Sequence, residues 1–444
     1  MKTKHVVVLC LLLLVATGTA FAGGGKEGEV VEPAEKEAVE ITLWHMENIP
    51  ARVEIFQGVI DSFNAQNPEI RVKQEVQDWT TAREKIMAAI RAKSAPEIFF
   101  TIPDLTLLLR ETGAVVAVDD IFAELDKKYR FQHSALKPYQ GEGHYWAVPT
   151  YSMVKVLWYR KDLYKNAGLD PEDPPKTWNE LLDYTKTISA TGVHGIGLPA
   201  SKHMDVDQEI YTFMVTNKAE DIFDAEGNVN FNNPRTVDAF RYYKELVKYA
   251  PSDVTSWGWA EPEIAFTQGI TAMDMAKGQF VRQYDERTDL PPENLGVTPV
   301  PWPEDGQRGS LFYPNGLNIL TEDTEKQEAI KEFLMHLFDP EVYGNFVNME
   351  VGLFVPITES SFDSKSYWEN PLVAKYSEQV KVLLESNGYG RLFGFTTEKV
   401  NKATGSVAAQ MLFAQGIQKM VIDNWSPEDA VSWVDDKMRE IAGQ

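Results

Sequence analysis

Residues 143–168, GHYWAVPTYSMVKVLWYRKDLYKNAG, constrain the fold of this chain more than any other stretch. An apolar segment over residues 145–149 precedes a second extended run through Trp158 and Tyr159, and a short helix can begin at Arg160-Lys161-Asp162. That pattern reads as strand, crossing, strand and helix start, with Pro149, Thr150 and Tyr151 at a change of body. Short strands and helices alternate on both sides of it. The stretch therefore predicts the first crossing between two lobes.

Before the crossing, residues 39–44 alternate as a strand, and Phe56, Val59, Ile60 and Phe63 keep a helical spacing. A strand over 70–76, a helix over 80–92 and a buried strand over 97–100 follow. Such an order predicts an open α/β lobe of parallel strands with covering helices. Ligands of these sheets sit beyond the carboxyl ends of the strands. That rule puts Trp44, His45, Met46 and Glu47, then Asp78 and Trp79, then Asp104, at the rim of a candidate cleft.

The second lobe opens near Thr150. Thr177 is a helix N-cap whose capping box closes at Glu180. A strand over 195–198, a helix striped by Val237, Phe240, Tyr243 and Val247, and a strand over 271–275 come next. The chain is expected to cross back at about 310–315 and out again near 354–357, which makes a three-crossing hinge. The fold class is thus α/β, with two open lobes and a cleft between them. The lobes are drawn as 39–149 with 315–354, and 150–314 with 355–444. The end of the chain, with a helix start at Ser426-Pro427-Glu428-Asp429, reads as all helical and as a cover for the second lobe.

Residues 1–22 read as a cleaved signal peptide: Lys2 and Lys4, an apolar core over 6–16, and Ala20-Phe21-Ala22 before Gly23. An apolar core of 11 residues is too short for a membrane span, which needs about 20. Cys10 lies inside that core and is the one cysteine of the chain. The processed protein would have no disulfide and no thiolate metal site. With no cysteine after the core, soluble export to the periplasm or beyond is expected rather than a lipid anchor. Residues 23–38 read as a flexible leader.

Several segments together resemble one family. They are ITLWH at Ile41, FNAQNPEIRVKQE at Phe63, APEIFF at Ala95, the crossing stretch itself, PKTWNELLDYTKTI at Pro175, AFTQGITAMDM at Ala265, LGVTPVPWPEDG at Leu295 and GLFVPI at Gly352. In that order they are similar to the extracellular solute-binding proteins of ABC importers, in the sugar-binding group that includes maltose-binding protein. The resemblance implies a monomer that closes on a di- or oligosaccharide and delivers it to permease subunits, with no cofactor and no metal. It also implies that Asp104 bonds sugar hydroxyls and that the residues after GITAM meet the ligand. Relatives often have a tryptophan there, where this chain has Asp274, Lys277, Gln279 and Phe280. Arg391 lies in a stretch that can fold back over the cleft in relatives.

Composition bears on the ligand. With 43 Lys and Arg against 66 Asp and Glu, the formal charge of −23 argues against nucleic acid, whose binding begins with phosphate neutralisation. The chain also has 11 Trp and 17 Tyr. Flat rings stack on the C–H face of a sugar while carboxylates, amides and cations take its hydroxyls. Candidate ligand residues are Trp44, His45, Glu47, Trp79, Asp104, Tyr151, Trp257, Trp259, Asp274, Lys277, Tyr313, Phe354 and Arg391. Any one of these tryptophans is as well explained as a core residue, Trp302 between two prolines most of all. A small charged solute such as a glycerol phosphate is the alternative ligand, with Lys277 and Arg391 as its partners.

Catalysis finds little support. Glycoside hydrolysis needs two carboxylates facing each other across a groove, whereas Asp119-Asp120 and Asp435-Asp436 are adjacent on helical stretches and point apart. No H-E-x-x-H, G-x-S-x-G or Walker loop is present. Seven scattered histidines show no zinc spacing.

Overall fold

The computed structural model describes residues 37–444. The expected signal peptide and almost all of the expected leader lie outside the described residues. The strands are β1 (Val39–His45), β2 (Ile70–Val76), β3 (Ile98–Thr101), β4 (Gln140–Gly141), β5 (His144–Tyr145), β6 (Val148–Val154), β7 (Val156–Arg160), β8 (Met273–Ala276), β9 (Leu295–Thr298), β10 (Ser310–Ile319) and β11 (Gly390–Arg391).

In β1 the period of two buries Ile41, Leu43 and His45 on one face. β2 and β3 run parallel to β1 on either side of it, and β10 lies antiparallel to β3. The helix Pro50–Gln66 lays Phe56, Val59, Ile60 and Phe63 on the sheet. Each such side chain contributes about 1.5–3 kcal/mol through burial. The second sheet has β7 at its centre with β8 and β9 antiparallel on its flanks. The expected strand over 195–198 reduces to single bridges, His194 to Thr271 and Gly197 to Asp274.

The crossings run side by side. β6 pairs antiparallel with β10, and Ser152 and Val355 exchange backbone hydrogen bonds of 3.0 and 2.8 Å. Between β6 and β7, the Lys155 amide donates to the Leu311 carbonyl at 3.1 Å. Tyr343 fastens two of these segments, donating to the Thr150 carbonyl and accepting from the Ile357 amide at 3.1 Å. The result is a two-lobed α/β protein whose hinge is built from paired chain segments.

The capping box forms as read: Thr177 Oγ1 accepts from the Glu180 amide at 3.2 Å, and Glu180 Oε2 accepts from the Thr177 amide at 3.0 Å. Ser426 Oγ accepts from the Asp429 amide at the last helix, Pro427–Ala442. From residue 398 on, the regular elements are helices alone, Thr404–Gln410, Leu412–Val421 and Pro427–Ala442, and one short strand precedes them. Gly390 and Arg391 form β11, parallel to Ser310 and Leu311 of β10, because that edge of β10 offers unpaired backbone groups.

One helix of the second lobe, Met204–Thr216, is buried on every side from Asp205 onward. It carries Asp205, Asp207, Gln208 and Glu209 into the interior, an arrangement that needs partners for each. Asp207 accepts from the Ala414 amide at 2.6 Å, near the start of the helix Leu412–Val421. Burial nonetheless pushes its carboxyl up to about 8. A raised carboxyl adds stability below its unfolded pKa of about 4 and loses that stability as pH rises towards 8. Asp207→Asn keeps the accepting oxygen and removes the charge. The variant is expected to match the parent near pH 4 and to exceed it at pH 8 by more than 1 kcal/mol in urea unfolding. Identical pH profiles for the two proteins would contradict this.

Candidate functional site

After β1 the chain turns at Met46 and Glu47. Glu47 Oε1 accepts from the Tyr151 hydroxyl at 2.8 Å, and Oε2 accepts from Arg52 at 2.7 Å. Arg52 reaches on to Glu350 at 2.9 Å and lies 4.9 Å over the Phe354 ring, which stacks on Tyr151 at 4.0 Å. The structure thus brings Glu47, Tyr151 and Phe354 together through Arg52, a residue the sequence reading missed. Tyr151 and Phe354 are enclosed, so they brace the hinge instead of offering a face to ligand.

His45 needs the same correction. It is fully buried, stacks on Phe56 at 4.2 Å and bonds Gln74 at 2.6 Å. Burial lowers its pKa. Trp44 points to the opposite face of β1, half-buried against the cluster of Met46, Ile86 and Phe99. Trp79 is 41% exposed after β2. Beyond β3, Asp104 opens the helix Pro103–Glu111 and accepts from the Tyr313 hydroxyl at 3.1 Å, with Arg83 4.0 Å away. Burial raises its pKa. Gly405 of the helix Thr404–Gln410 packs on the Asp104 carbonyl, where an added methyl carbon would lie 3.5 Å away.

The second-lobe wall gathers at the end of β8. Lys155 Nζ donates to Glu209, to Asp205 at 3.1 Å and to the Met275 carbonyl at 3.1 Å. Asp274, opposite Trp158 in the β7–β8 register, is buried beside it. Lys277 Nζ lies 3.7 Å from the same Asp205. Asp205, Trp259, Glu263, Asp274, Lys277 and Gln279 line a cavity of about 10 Å³.

Charge within this wall is tightly coupled. Burial works against the Lys155 ammonium, but Asp205 and Glu209 outweigh it and hold its pKa above the usual lysine range. Burial likewise opposes Asp205, yet Lys155 and Lys277 keep that carboxylate ionised. Burial lifts Glu209 to about 8 and Asp274 to about 7, and raises Glu263 well above a usual carboxyl. Lys277 is lowered by its burial.

The remaining expected residues lie apart. Trp257 is a core residue, 7% exposed, because the irregular loop around Gly258 folds inward; Trp259, two positions on, is 54% exposed. Arg391 sits on β11 and bonds the Gly390 carbonyl at 3.0 Å, away from the Lys277 wall. Asp119 holds His144 and the Tyr145 amide, and Asp435 holds Arg439 and the Asn232 amide, so these acids have structural partners. A separate groove of about 1020 Å³ runs between Arg110 and Trp146 on one side and Glu226 and Lys399 on the other. The Arg110 guanidinium covers the Trp146 ring at 4.2 Å. Among the described residues no helix is long and apolar enough to cross a membrane.

Residues 48–343 match the family described as bacterial extracellular solute-binding protein, more than half of the chain. The chain belongs to that family. A solute-binding protein binds and does not transform its ligand. This solute-binding protein is 24% identical over 423 residues to YcjN of Escherichia coli (strain K12), which carries the name of an ABC transporter periplasmic-binding protein; the match spans 93% of each chain. It is 26% identical over 342 residues to the sn-glycerol-3-phosphate-binding periplasmic protein UgpB of the same strain, over 73% of this chain and 75% of that one. The cyclic alpha-maltosyl-1,6-maltose binding protein of Arthrobacter globiformis shares its fold with a TM-score of 0.76 at 19% identity, covering 91% of this chain and 99% of that one.

Proposed function

We propose that this solute-binding protein captures a saccharide of two to a few units between its lobes, outside the cytoplasmic membrane, and delivers it as a monomer to the permease subunits of an ABC importer. The lobes are those drawn above, 39–149 with 315–354 and 150–314 with 355–444. Asp104, Trp79 and Trp44 would receive the ligand on the first lobe, and Trp259, Asp274 and Lys277 on the second. A ligand held by both lobes shifts the population toward closure, and the closed shape is what the membrane subunits would recognise.

One observation carries the choice of ligand class. Asp205, Glu209, Glu263 and Asp274 stand at the second-lobe wall against only Lys155 and Lys277, and both lysines already face Asp205. Each of those lysines already faces a carboxylate, so a phosphate would find no uncommitted cation at this wall. Hydroxyl groups instead find acceptors, and the exposed Trp259 supplies a ring.

A thermal-shift screen against sugars, polyols, sugar phosphates and peptides tests this. A ligand of micromolar dissociation constant, present at millimolar concentration, stabilises by about 4 kcal/mol. With the ligand found, Trp259→Ala is expected to weaken binding by about 1–3 kcal/mol. For a bound anion Lys277→Ala would instead cost about 2 kcal/mol or more and Trp259→Ala little. The second pattern would replace the saccharide by a charged solute.

A further inference from the structure

The cavity of about 10 Å³ beside Trp259 has room for about one non-hydrogen group, and its wall holds buried acceptors that lack a donor. Lys155 is saturated by Asp205, Glu209 and the Met275 carbonyl. Asp274 is 1% exposed and lines the cavity, yet its Oδ2 has no hydrogen-bond partner among the described residues. Gln279 Oε1, on the same wall, also lacks one. Both orphan atoms are acceptors. An unmade bond at a buried acceptor costs about 1–3 kcal/mol, so the wall is built to receive a donor.

We infer that the saccharide bound here carries an amino group, seated as an ammonium in this cavity among Asp274, Glu263 and Gln279 beside the ring of Trp259. The inference rests on the saccharide reading above and narrows it. A hydroxyl would satisfy one of the two orphan acceptors and leave the other open. An ammonium donates up to three hydrogen bonds, enough for both acceptors, and is attracted to an aromatic face.

The charged groups facing the cavity come from every element around it. They are Lys155 at the β6–β7 junction, Asp205 of the helix Met204–Thr216, Glu263 of the helix Ala260–Thr267, and Asp274 and Lys277 at the end of β8; Glu209 is bonded to Lys155, and His203 lies beside Asp205. Burial raises Glu263 and Asp274, the latter to about 7, so Asp274 is partly protonated in the ligand-free protein. An entering ammonium would favour their ionised forms, so its binding releases protons.

Matched pairs that differ only in the amino group test the inference by calorimetry at pH 7: glucosamine and glucose, galactosamine and galactose, and the β-1,4 glucosamine disaccharide and cellobiose, with maltose added. At least one amino member is expected to bind tenfold or more tightly than its hydroxyl partner, with proton release seen as a heat that changes between phosphate and Tris buffers. Asp274→Asn is expected to bring that ratio below threefold; Glu263→Gln serves if the first variant melts early. Equal or tighter binding of the hydroxyl members overturns the amine and leaves the saccharide reading standing. Binding of maltose with no amino member bound does the same. Binding of nothing in the panel overturns both.

Discussion

Lys155→Met is expected to cost about 3–5 kcal/mol of unfolding free energy, because it takes the ammonium away from two buried carboxyls, Asp205 and Glu209, and leaves Glu209 without its donor. The side chain is 2% exposed, and Asp205 and Glu209, the latter also 2% exposed, hold it from the helix Met204–Thr216. Its backbone lies at the crossing, bonded to Leu311, so the loss would loosen the hinge as well as the ligand wall. Adding Glu209→Gln replaces the stranded carboxyl by a neutral amide and is expected to recover part of the loss. Urea unfolding of the single and double variants measures both. A loss under 1 kcal/mol in the single variant would contradict the assigned role of the pair.

Gly352→Ala is the second large effect. Gly352 and Gly278 meet back to back with φ of +92° and +99°, which glycine adopts freely and alanine does not. A methyl carbon on Gly352 would stand 2.7 Å from the Gly278 carbonyl oxygen and 2.8 Å from Val281. The contact joins the end of β8 to the turn before Phe354, so it brings the two lobes together beside the hinge. The variant is expected to carry about 1–3 kcal/mol of backbone strain. If lobe closure requires this contact, saccharide affinity drops about tenfold for each 1.4 kcal/mol of that strain. Calorimetry on the variant would show unchanged affinity if the contact is indifferent to closure.

Much of the fold was legible because its local signals agree. The alternation in β1, the helical spacing of Phe56 to Phe63, the run of β2 and the Thr177–Glu180 box each depend on neighbours a few residues apart. The site was less legible. The alternation of β1 itself puts His45 on the same inner face as Ile41 and Leu43, a consequence that a rim drawn from the end of the strand overlooks. Trp257 is buried in an irregular loop, where no period announces burial.

Lys155 had a signal, a lysine inside the apolar run SMVKVLWY, which must be paired if that run is interior. Its partners come from a helix some 50 residues on, whose acids look like a solvated face in sequence and are enclosed only because other elements pack on every side. Arg52 joining Glu47 to Glu350 is likewise a contact of the fold, between residues 298 apart for the longer arm. The departure from the tryptophan habit at Asp274 and Lys277 was visible. Its meaning as a carboxylate-rich wall needed the helix Met204–Thr216 in place.

A crystal structure of the protein with the saccharide returned by the screen tests the central claim most directly. The account predicts sugar atoms within hydrogen-bond distance of Asp104 or Arg83 on one lobe and of Asp274 or Lys277 on the other, with the Trp259 ring against the sugar. Sugar confined to one lobe, or lying only in the groove between Arg110–Trp146 and Lys399, would contradict it.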